Sequence, residues 1–406
     1  MYCIYVVMVT ATDQVHAVYR GTASLRNAIR ARDALTLRDQ VAITHIAAPT
    51  GEEDDRAQLI KSRFKLAGLR DVRTDIAGNV SGRRLGTRDL PPLVVCAHMD
   101  TVFTRQTELR VIARDGRLYA PGIGDNARGL AAMLSLADSF AAERVTSEGP
   151  IDFLASTGEE GAGDLRGTKY FFSEHSDAVA MIALDGPGDT RVVNTALGCA
   201  RFRIVFSGPG GHSWASHGAP NAAHAVGIAT AALAKMPVPT SPRSTLSVTR
   251  IGGGVSVNSI PEQAWMEVDI RSVSERYLYM LADAVTRAAQ SALEQINSQR
   301  MPATDGLRLD IESIGRRPCG HLENDHPLTQ AAMRATEMVG REPELSVAST
   351  DANVPLGLGI PAIAIGGGGN GGDAHTTSEW YDNQGGALGI IRAATIILAV
   401  AGLPGV

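Results

Sequence analysis

Histidines and carboxylates follow several short apolar runs of this chain, a pattern typical of a metal site. The runs at 93–97, 151–155, 179–184 and 361–365 are too short to be helices. Candidate ligands come shortly after these runs, in a Gly-Ile-Gly-Asp-Asn segment between them, or beyond the glycine loop after the last run: His98, Asp100, Asp125, Glu159, Glu160, Asp185 and His375. Because the strand ends of an open α/β sheet meet at one edge, we expect these side chains to lie close together.

Taken singly, each of these residues has an ordinary explanation. His98 suits a hydrogen-bonded strand end, Asp125 an N-cap, and Asp185 a simple turn, while Glu159 and Glu160 suit a solvated loop. Taken together, two histidines and four or more carboxylates at one edge would repel one another unless a cation neutralised them. Mixed imidazole and carboxylate ligands suit two Zn²⁺ ions with a bridging carboxylate. Co²⁺ or Mn²⁺ could occupy the same ligands.

Two further features suit a hydrolytic site. Asp100 lies two residues past His98, where it can accept a hydrogen bond from the second imidazole nitrogen and thereby select the tautomer. Glu159 and Glu160 point in opposite directions along an extended backbone, so they cannot play the same role. We therefore expect one glutamate to bind metal and the other to take a proton from water as a general base.

The elements that must position these residues form an α/β domain. Continuous apolar runs indicate strands covered on both faces, as in a parallel or mixed sheet between helix layers. Helices are predicted at 24–47, 52–66 and 126–140 from their apolar spacing. The apolar stretch 387–403 is interrupted by Arg392 and is too short to span a membrane, so it predicts a buried terminal helix.

The middle of the chain has a different pattern. Its strands alternate polar and apolar residues, which predicts a sheet with one solvated face. Helices near 221–234 and 274–295 complete a β-α-β-β-α-β order, which indicates a ferredoxin-like α+β lid inserted into the α/β domain. We expect the lid at 197–317, between catalytic segments at 1–196 and 318–406.

The composition argues against some classes of function and predicts the cellular compartment of the protein. With 38 Lys plus Arg against 43 Asp plus Glu, the net charge of −5 argues against nucleic-acid binding. Four scattered cysteines without a C-x-x-C pair predict reduced thiols and a cytoplasmic protein. The apolar run 1–9 has no Lys or Arg ahead of it, so it lacks the first region of a signal peptide, and neither it nor 387–403 predicts a membrane partner.

Five ordered motifs resemble those of the co-catalytic di-zinc peptidase family that includes peptidase T, carboxypeptidase G, succinyl-diaminopimelate desuccinylase and aminoacylase. The motifs are Ala-His-Met-Asp-Thr at 97–101, Gly-Ile-Gly-Asp-Asn at 122–126, Ser-Thr-Gly-Glu-Glu-Gly at 156–161, Leu-Asp-Gly at 184–186 and Ala-His-Thr at 374–376. The resemblance extends from about Leu35 to the C-terminus. It implies a three-layer zinc-peptidase-like catalytic domain carrying a lid and dimerisation domain.

The resemblance also implies individual roles for the site residues. The implied ligands of two zinc ions are Asp125 as the bridge, His98 and Asp185 on one ion, and Glu160 and His375 on the other. Glu159 would be the general base, which later protonates the leaving amine, and Asp100 would orient His98.

Residues of the lid resemble substrate-binding elements of the family. His212, in Gly-Pro-Gly-Gly-His-Ser, resembles a histidine that in dimeric members reaches the partner's active site and steadies the oxyanion; a turn histidine is the alternative. Asn258 and Arg271 resemble residues that hold the substrate's carboxylate or backbone, although Arg271 also suits a surface salt bridge. Segment 349–353 resembles a substrate loop. A homodimer through the lid would follow from the same resemblance.

The reaction indicated is amide hydrolysis by metal-activated water, with a short peptide as substrate. Asp185 stands where deacylase-like members carry Glu, so the chain looks nearest to the peptidase T-like branch, whose substrates have a free amino end. An N-acyl-amino-acid deacylase, a carboxypeptidase and a non-catalytic peptide-binding homologue are the alternatives. The glycine loop 366–372 has no Gly-Lys-Ser/Thr, which argues against nucleotide binding and leaves close approach to substrate, or room for lid movement, as its expected role.

Overall fold

A computed structural model describes residues 11–302 and 304–405. The apolar run 1–9, considered above as a signal peptide, lies outside the described residues. The chain divides into two units: one extends up to Ala196 and resumes at His321, and the other is the inserted unit Leu197–Gly320. Within the described residues, no helix has the length and apolar character needed to cross a membrane.

The secondary structure alternates between helices and strands along the chain. The helices are α1 (Ala11–Gly21), α2 (Ala23–Ala31), α3 (Asp33–Thr44), α4 (Asp54–Leu66), α5 (Ala127–Ala142), α6 (Arg166–Glu174), α7 (Ala222–Ala234), α8 (Glu275–Ser298), α9 (Pro327–Met338), α10 (Asn353–Gly357) and α11 (Gly386–Ala401). The strands are β1 (Arg70–Thr74), β2 (Val80–Arg84), β3 (Leu93–His98), β4 (Ile112–Arg114), β5 (Arg117–Tyr119), β6 (Ile151–Ser156), β7 (Ala180–Leu184), β8 (Arg191–Ala196), β9 (Gly198–Ser207), β10 (Gly211–His212), β11 (Ser244–Gly253), β12 (Ser259–Ile260), β13 (Gln263–Ser272), β14 (Arg308–Arg317), β15 (Gly320–His321), β16 (Glu344–Ala348), β17 (Ala362–Ile365), β18 (Asn370–Gly372) and β19 (Trp380–Asp382).

The first unit is built on a mixed sheet with the order β1-β2-β6-β3-β7-β17-β8-β15, in which β16 also pairs with β8. Strands β6, β3, β7 and β17 run parallel to one another. Alternate residues of β3 pack on opposite sides: Val95 joins the core formed with α5 and α11, and Val94 joins the core formed with α6 and α10. Helices therefore cover both faces of the sheet, which confirms the predicted α/β class with three layers.

One predicted helix is divided in the structure. The helix predicted at 24–47 is interrupted at Arg32, which separates α2 from α3; both segments pack on α5, and Arg32 forms an ion pair with Asp138 of α5 at 2.5 Å. The sequence has no glycine or proline at this break, so its apolar spacing predicts one continuous helix. The predicted terminal helix corresponds to α11, and Arg392 is fully buried within it.

The inserted unit has an antiparallel sheet with the order β11-β13-β9-β14, packed against α7 and α8. Alternate residues of β13, such as Met266 and Val268, are buried towards these helices. Asn221 begins α7 by accepting the N–H groups of Ala223 and His224. The unit therefore has the ferredoxin-like β-α-β-β-α-β arrangement predicted from the sequence.

The glycine loop corrects one expectation. Its first residues pack against protein backbone: a Cβ on Gly366 would lie 2.4 Å from the carbonyl oxygen of Pro187, and one on Gly368 would lie 2.2 Å from that of Gly386. These glycines allow the loop to approach the 186–188 turn and the start of α11, rather than making room for a substrate or a moving lid. The later residues Gly371 and Gly372 line a cavity.

Candidate metal centre

The predicted metal ligands occupy one edge of the first unit. His98 is the last residue of β3, Asp185 follows β7, and Glu160 lies four residues past the end of β6. Asp125 lies just before α5, whose N-cap is Asn126 and not Asp125, so capping does not explain this carboxylate. His375 comes from the distant segment between β18 and β19. The parallel order of β6, β3 and β7 places three of these residues at neighbouring strand ends.

Asp125 lies between the two histidines and presents one oxygen to each. Its Oδ1 is 3.0 Å from Nε2 of His98, and its Oδ2 is 3.2 Å from Nε2 of His375. Nε2 of His375 is also 2.9 Å from Oε1 of Glu160. One ligand atom each from His98, Asp125 and Glu160 lie within 4.8 Å of one another, so these three side chains can hold a metal ion.

The donor set fits divalent ions in its chemistry as well as its spacing. Oδ1 of Asp125 is buried, yet it has no hydrogen-bond donor despite the nearby imidazole of His98. A buried carboxylate oxygen without a donor is costly unless a cation occupies the position it faces. Both imidazoles also direct Nε2 towards the carboxylates, as ligands to a shared pair of ions would. The residues present therefore suit a divalent metal ion.

The pKa values of the site residues also indicate a position for a cation. Burial alone would lower the pKa of His98, but Asp100 and Asp125 outweigh it and raise the pKa well above its usual value. Burial would likewise raise the pKa of Asp125, yet the hydrogen bond from His375 and the adjacent imidazole of His98 hold it well below its usual range. Without metal, protons on the imidazoles supply the positive charge that these carboxylates require, and metal binding would displace them.

Asp185 lies beside this group, in the wall of an adjoining cavity of about 340 Å³ that Asp125 and Glu379 also line. Burial and the charge of Asp125 raise the pKa of Asp185 to about 6. A cation bound beside Asp185 would offset both effects and keep the carboxylate charged, as expected of a metal ligand.

Asp100 connects His98 to the pair of glutamates. Its two oxygens accept the backbone N–H groups of Glu159 and Glu160, both at 2.9 Å, and one also accepts the hydroxyl of Thr50 at 2.8 Å. Nδ1 of His98 lies 3.2 Å from the carbonyl oxygen of Asp100 and 3.5 Å from its Oδ1. Although burial opposes ionisation, contact with His98 lowers the pKa of Asp100 to about 2. Asp100 is thus a buried anion that holds the glutamate turn beside His98.

Glu379 is a site residue that the sequence reasoning missed. Its buried carboxylate accepts the N–H of Gly122 at 2.6 Å, and those of Gly124 and Asp125 at 2.8 Å each. A Cβ on Gly124 would lie 2.9 Å from Oε1 of Glu379, so a larger residue there would displace the carboxylate. The available signal was an acidic residue four positions after His375, together with a glycine-rich turn whose N–H groups need an acceptor.

Segment 349–353 was expected to be a substrate loop. Part of it lines a cavity, and part of it is buried. Ser349 and Thr350 line the cavity beside Asp185. Asp351, in contrast, is buried and accepts hydroxyl groups from Ser156 at 2.7 Å and from Thr168. It therefore anchors the loop beneath the end of β6 and does not face a substrate.

The three predicted substrate-binding residues of the inserted unit make local contacts there. His212 is exposed, and its Nδ1 accepts the N–H of Trp214 at 3.1 Å. Asn258 accepts a hydroxyl from Ser256. Nε of Arg271 is 2.8 Å from Oδ2 of Asp269, which is the salt bridge that the sequence allowed as the alternative role for this arginine.

Comparisons with known proteins agree with this architecture. A model of the peptidase family M20/M25/M40 matches residues 94–399. A succinyl-diaminopimelate desuccinylase of Marinobacter nauticus is 25% identical over 297 residues, which cover 68% of this chain and 75% of the relative. A tripeptidase structure from Staphylococcus aureus has a TM-score of 0.75 at 22% identity, covering 91% of this chain and 98% of the other. A Bacillus subtilis structure, described as a dinuclear metal-binding peptidase, has a TM-score of 0.66 at 18% identity and covers 93% and 100%.

Proposed function

Because the chain belongs to the peptidase family M20/M25/M40, a family of hydrolases, we propose that it hydrolyses amide bonds of short peptides with two bound divalent ions. The observation that carries the proposal is the position of Asp125 between His98 and His375, with one carboxylate oxygen directed at each imidazole. Zn²⁺ is the proposed ion, since two imidazoles with carboxylates are ligands it prefers. Co²⁺ and Mn²⁺ are the alternatives.

The proposed ligand roles follow the arrangement of the side chains. In this assignment Asp125 bridges the ions, His98 and Asp185 complete one, and Glu160 and His375 complete the other. Two such ions, when bound, polarise the scissile carbonyl and lower the pKa of water towards about 7.

Glu159 is the proposed general base. It takes a proton from the attacking water and returns one to the leaving amine. Its buried backbone is held by Asp100, so the carboxylate would be presented in a fixed position. The retention of Glu159 and Asp100 beside the ligand set favours an enzyme over a non-catalytic peptide-binding homologue, which would need no general base.

The inserted unit supplies further proposed substrate contacts. His212 would donate a hydrogen bond to the developing oxyanion, and Asn258 and Arg271 would hold the carboxylate or backbone of the substrate. An edge strand of its sheet, β11 or β14, is the proposed seam of a homodimer, because a sheet edge can extend into a second chain. A cytoplasmic location remains a prediction from the scattered cysteines.

Two observations bear on the class of substrate. Asp185 and the structural similarity to a tripeptidase favour short peptides with a free amino end. The similarity to a desuccinylase favours the alternative, an N-acyl-amino-acid deacylase, and a carboxypeptidase is a third activity available to the same site. We propose the tripeptidase-like activity first, because the fold match covers 91% of the chain.

A substrate panel tests the proposal. The purified protein is loaded with Zn²⁺, Co²⁺ or Mn²⁺ and assayed on Ala-Ala-Ala whose amino-terminal residue is isotopically labelled, and on N-acetyl-alanine and N-succinyl-alanine. We expect chelator-sensitive release of the amino-terminal alanine from the tripeptide. Release of the carboxyl-terminal alanine would identify a carboxypeptidase, and preferential cleavage of the acylated amino acids would identify a deacylase. Stable metal binding without hydrolysis of any substrate would contradict the enzymatic proposal.

A further inference from the structure

The cavity beside Asp185 contains a cation that none of the roles above explains. Arg191 lines this space of about 340 Å³ together with Asp125, Asp185, Glu379 and Trp380. Among its lining residues in the described part of the chain, Arg191 is the sole lysine or arginine. A single guanidinium in a cavity that also holds three carboxylates is the group there that could attract an anion.

The topology of the sheet explains how Arg191 reaches this position. Strand β8 is antiparallel to β17, so that Val192 pairs with Ile365, the last residue of β17. Ile365 in turn pairs with Leu184, directly before Asp185. The first residue of β8 therefore lies near the strand ends that carry the metal ligands. The backbone of Arg191 is held there by the buried Arg392, which donates to its carbonyl oxygen at 2.5 Å.

The guanidinium of Arg191 has more N–H donors than the hydrogen bonds found for it among the described residues. Within the described residues its guanidinium makes one hydrogen bond, from Nη2 to the carbonyl oxygen of Asp185 at 3.2 Å, and its charge also acts on the nearby carboxylate of Asp185. A guanidinium carries five N–H donors in a planar arrangement that matches a carboxylate. Most of these donors are therefore available to a ligand.

The other charges of the cavity are already balanced in the proposed enzyme. Asp125 and Asp185 would be ligands of the ions, and Glu379 accepts three backbone N–H groups. The positive charge of Arg191 is thus the one left to attract an anionic group on a substrate whose scissile amide lies at the metal ligands.

Building on the proposed function, we infer that Arg191 binds a carboxylate of the substrate and makes the enzyme selective for peptides with a free carboxyl end. The selectivity would reside in the first unit itself, in addition to the contacts proposed for Arg271. An uncharged carboxamide in the same position would lose the charge-assisted hydrogen bonds.

Paired substrates test this inference. The values of kcat/KM are measured for Ala-Ala-Ala and its carboxamide, with the metal-loaded full chain and with Arg191→Met. We expect the unmodified protein to prefer the acid, and the variant to lose about 10- to 100-fold on the acid while changing little on the amide, the range for one charge-assisted contact. Arg191→Lys should recover part of the preference, because it keeps the charge without the planar fork.

Arg117→Met provides the matched control. Arg117 is exposed and lies 4.0 Å from the centre of the Trp380 ring, but it does not line the cavity. This variant should keep the acid-to-amide ratio of the unmodified protein. Metal content and thermal unfolding, measured on every variant, establish that the site is intact.

The outcomes separate this inference from the proposed function. Equal losses on acid and amide in Arg191→Met would mean that the arginine only supports Asp185, and equal cleavage of the two substrates by the unmodified protein would mean that it selects nothing. Either result would overturn the inference while leaving the hydrolase intact. Failure of the unmodified protein to hydrolyse any substrate would instead contradict the proposed function, on which the inference depends.

Discussion

Glu379 holds the backbone of Asp125 in place, because its Oε1 accepts the N–H of Asp125 at 2.8 Å. The side chain of Glu379 is almost fully buried. The same side chain accepts the N–H groups of Gly122 and Gly124, and its own carbonyl oxygen accepts that of Ala120 at 3.0 Å. Glu379 also lies four residues after His375. It therefore ties the segment that carries one histidine to the turn that carries the shared carboxylate.

Replacing Glu379 should weaken metal binding. We expect Glu379→Gln to lower the affinity for Zn²⁺ by about 10- to 100-fold, the range found when partners of metal ligands are changed. The reason is that an amide can accept at only one of the two positions, so its NH₂ group would meet a backbone donor. Competition against a chromophoric chelator measures the affinity, and the visible spectrum of the Co²⁺ form reports the ligand geometry.

Tyr381→Phe is the matched control for that experiment. Tyr381 is buried in the same segment, and its hydroxyl bonds to Asn383 and Gly368, while the ring that packs with Ile123 is kept in the variant. The control should lose some stability and keep its metal affinity. An unchanged Co²⁺ spectrum and affinity in Glu379→Gln would show that the carboxylate does not position Asp125.

Glu159→Ala should separate metal binding from catalysis. If Glu159 is the general base, the variant keeps its full metal content, while kcat falls by about two to four orders of magnitude. Metal analysis and steady-state kinetics on the same preparation measure both quantities. Glu160→Ala is the comparison, since loss of a ligand should reduce metal content as well. Retained activity in Glu159→Ala, or loss of its metal, would count against the assignment.

Asp351→Ala should destabilise the first unit without any direct contact to a substrate. The hydroxyl groups of Ser156 and Thr168 would lose their buried acceptor, which costs about 1–3 kcal/mol of unfolding free energy. Asp351→Asn keeps one acceptor oxygen and should lose less. Urea unfolding of the metal-loaded protein measures both, with the exposed Glu323→Gln as a control expected to stay within about 0.5 kcal/mol. Equal stability of Asp351→Ala and the control would exclude the anchoring role.

His326 should make the stability depend on pH in the mildly acidic range. Its Nδ1 accepts the N–H of Leu328 at the start of α9, and burial lowers the pKa of the ring despite the charge of Asp325. The unfolded chain therefore binds this proton at a higher pH than the folded chain does. Stability should fall as the pH drops through about 6.5 and level off once the folded ring is also protonated.

The His326→Asn variant isolates that contribution. Asparagine is a good N-cap that does not titrate, so the variant should keep α9 and lose this part of the pH dependence. Thermal unfolding of both proteins between about pH 5 and 8 provides the comparison, with the same buffer and metal content. Parallel curves for the two proteins would show that His326 contributes nothing to acid destabilisation.

The sequence alone determined the class of fold and the set of candidate ligands. Continuous apolar runs predicted covered strands, and polar residues directly after them, such as His98 and Asp185, could be placed at one edge because parallel strands end together. The alternating strands near Met266 predicted the inserted ferredoxin-like unit for the same local reason. These inferences succeed because strand character and direction depend on neighbouring residues in the chain.

Only the tertiary structure decided which distant residues support the site. Glu379 is 254 positions from Asp125, and Asp351 is 195 positions from Ser156. Arg191 reaches the cavity because β8 reverses direction beside β17. No local pattern records these contacts: a buried carboxylate or guanidinium takes its partners from whatever backbone folding brings within hydrogen-bond distance. Desolvation then makes those few contacts energetically important, and that depends on the whole fold.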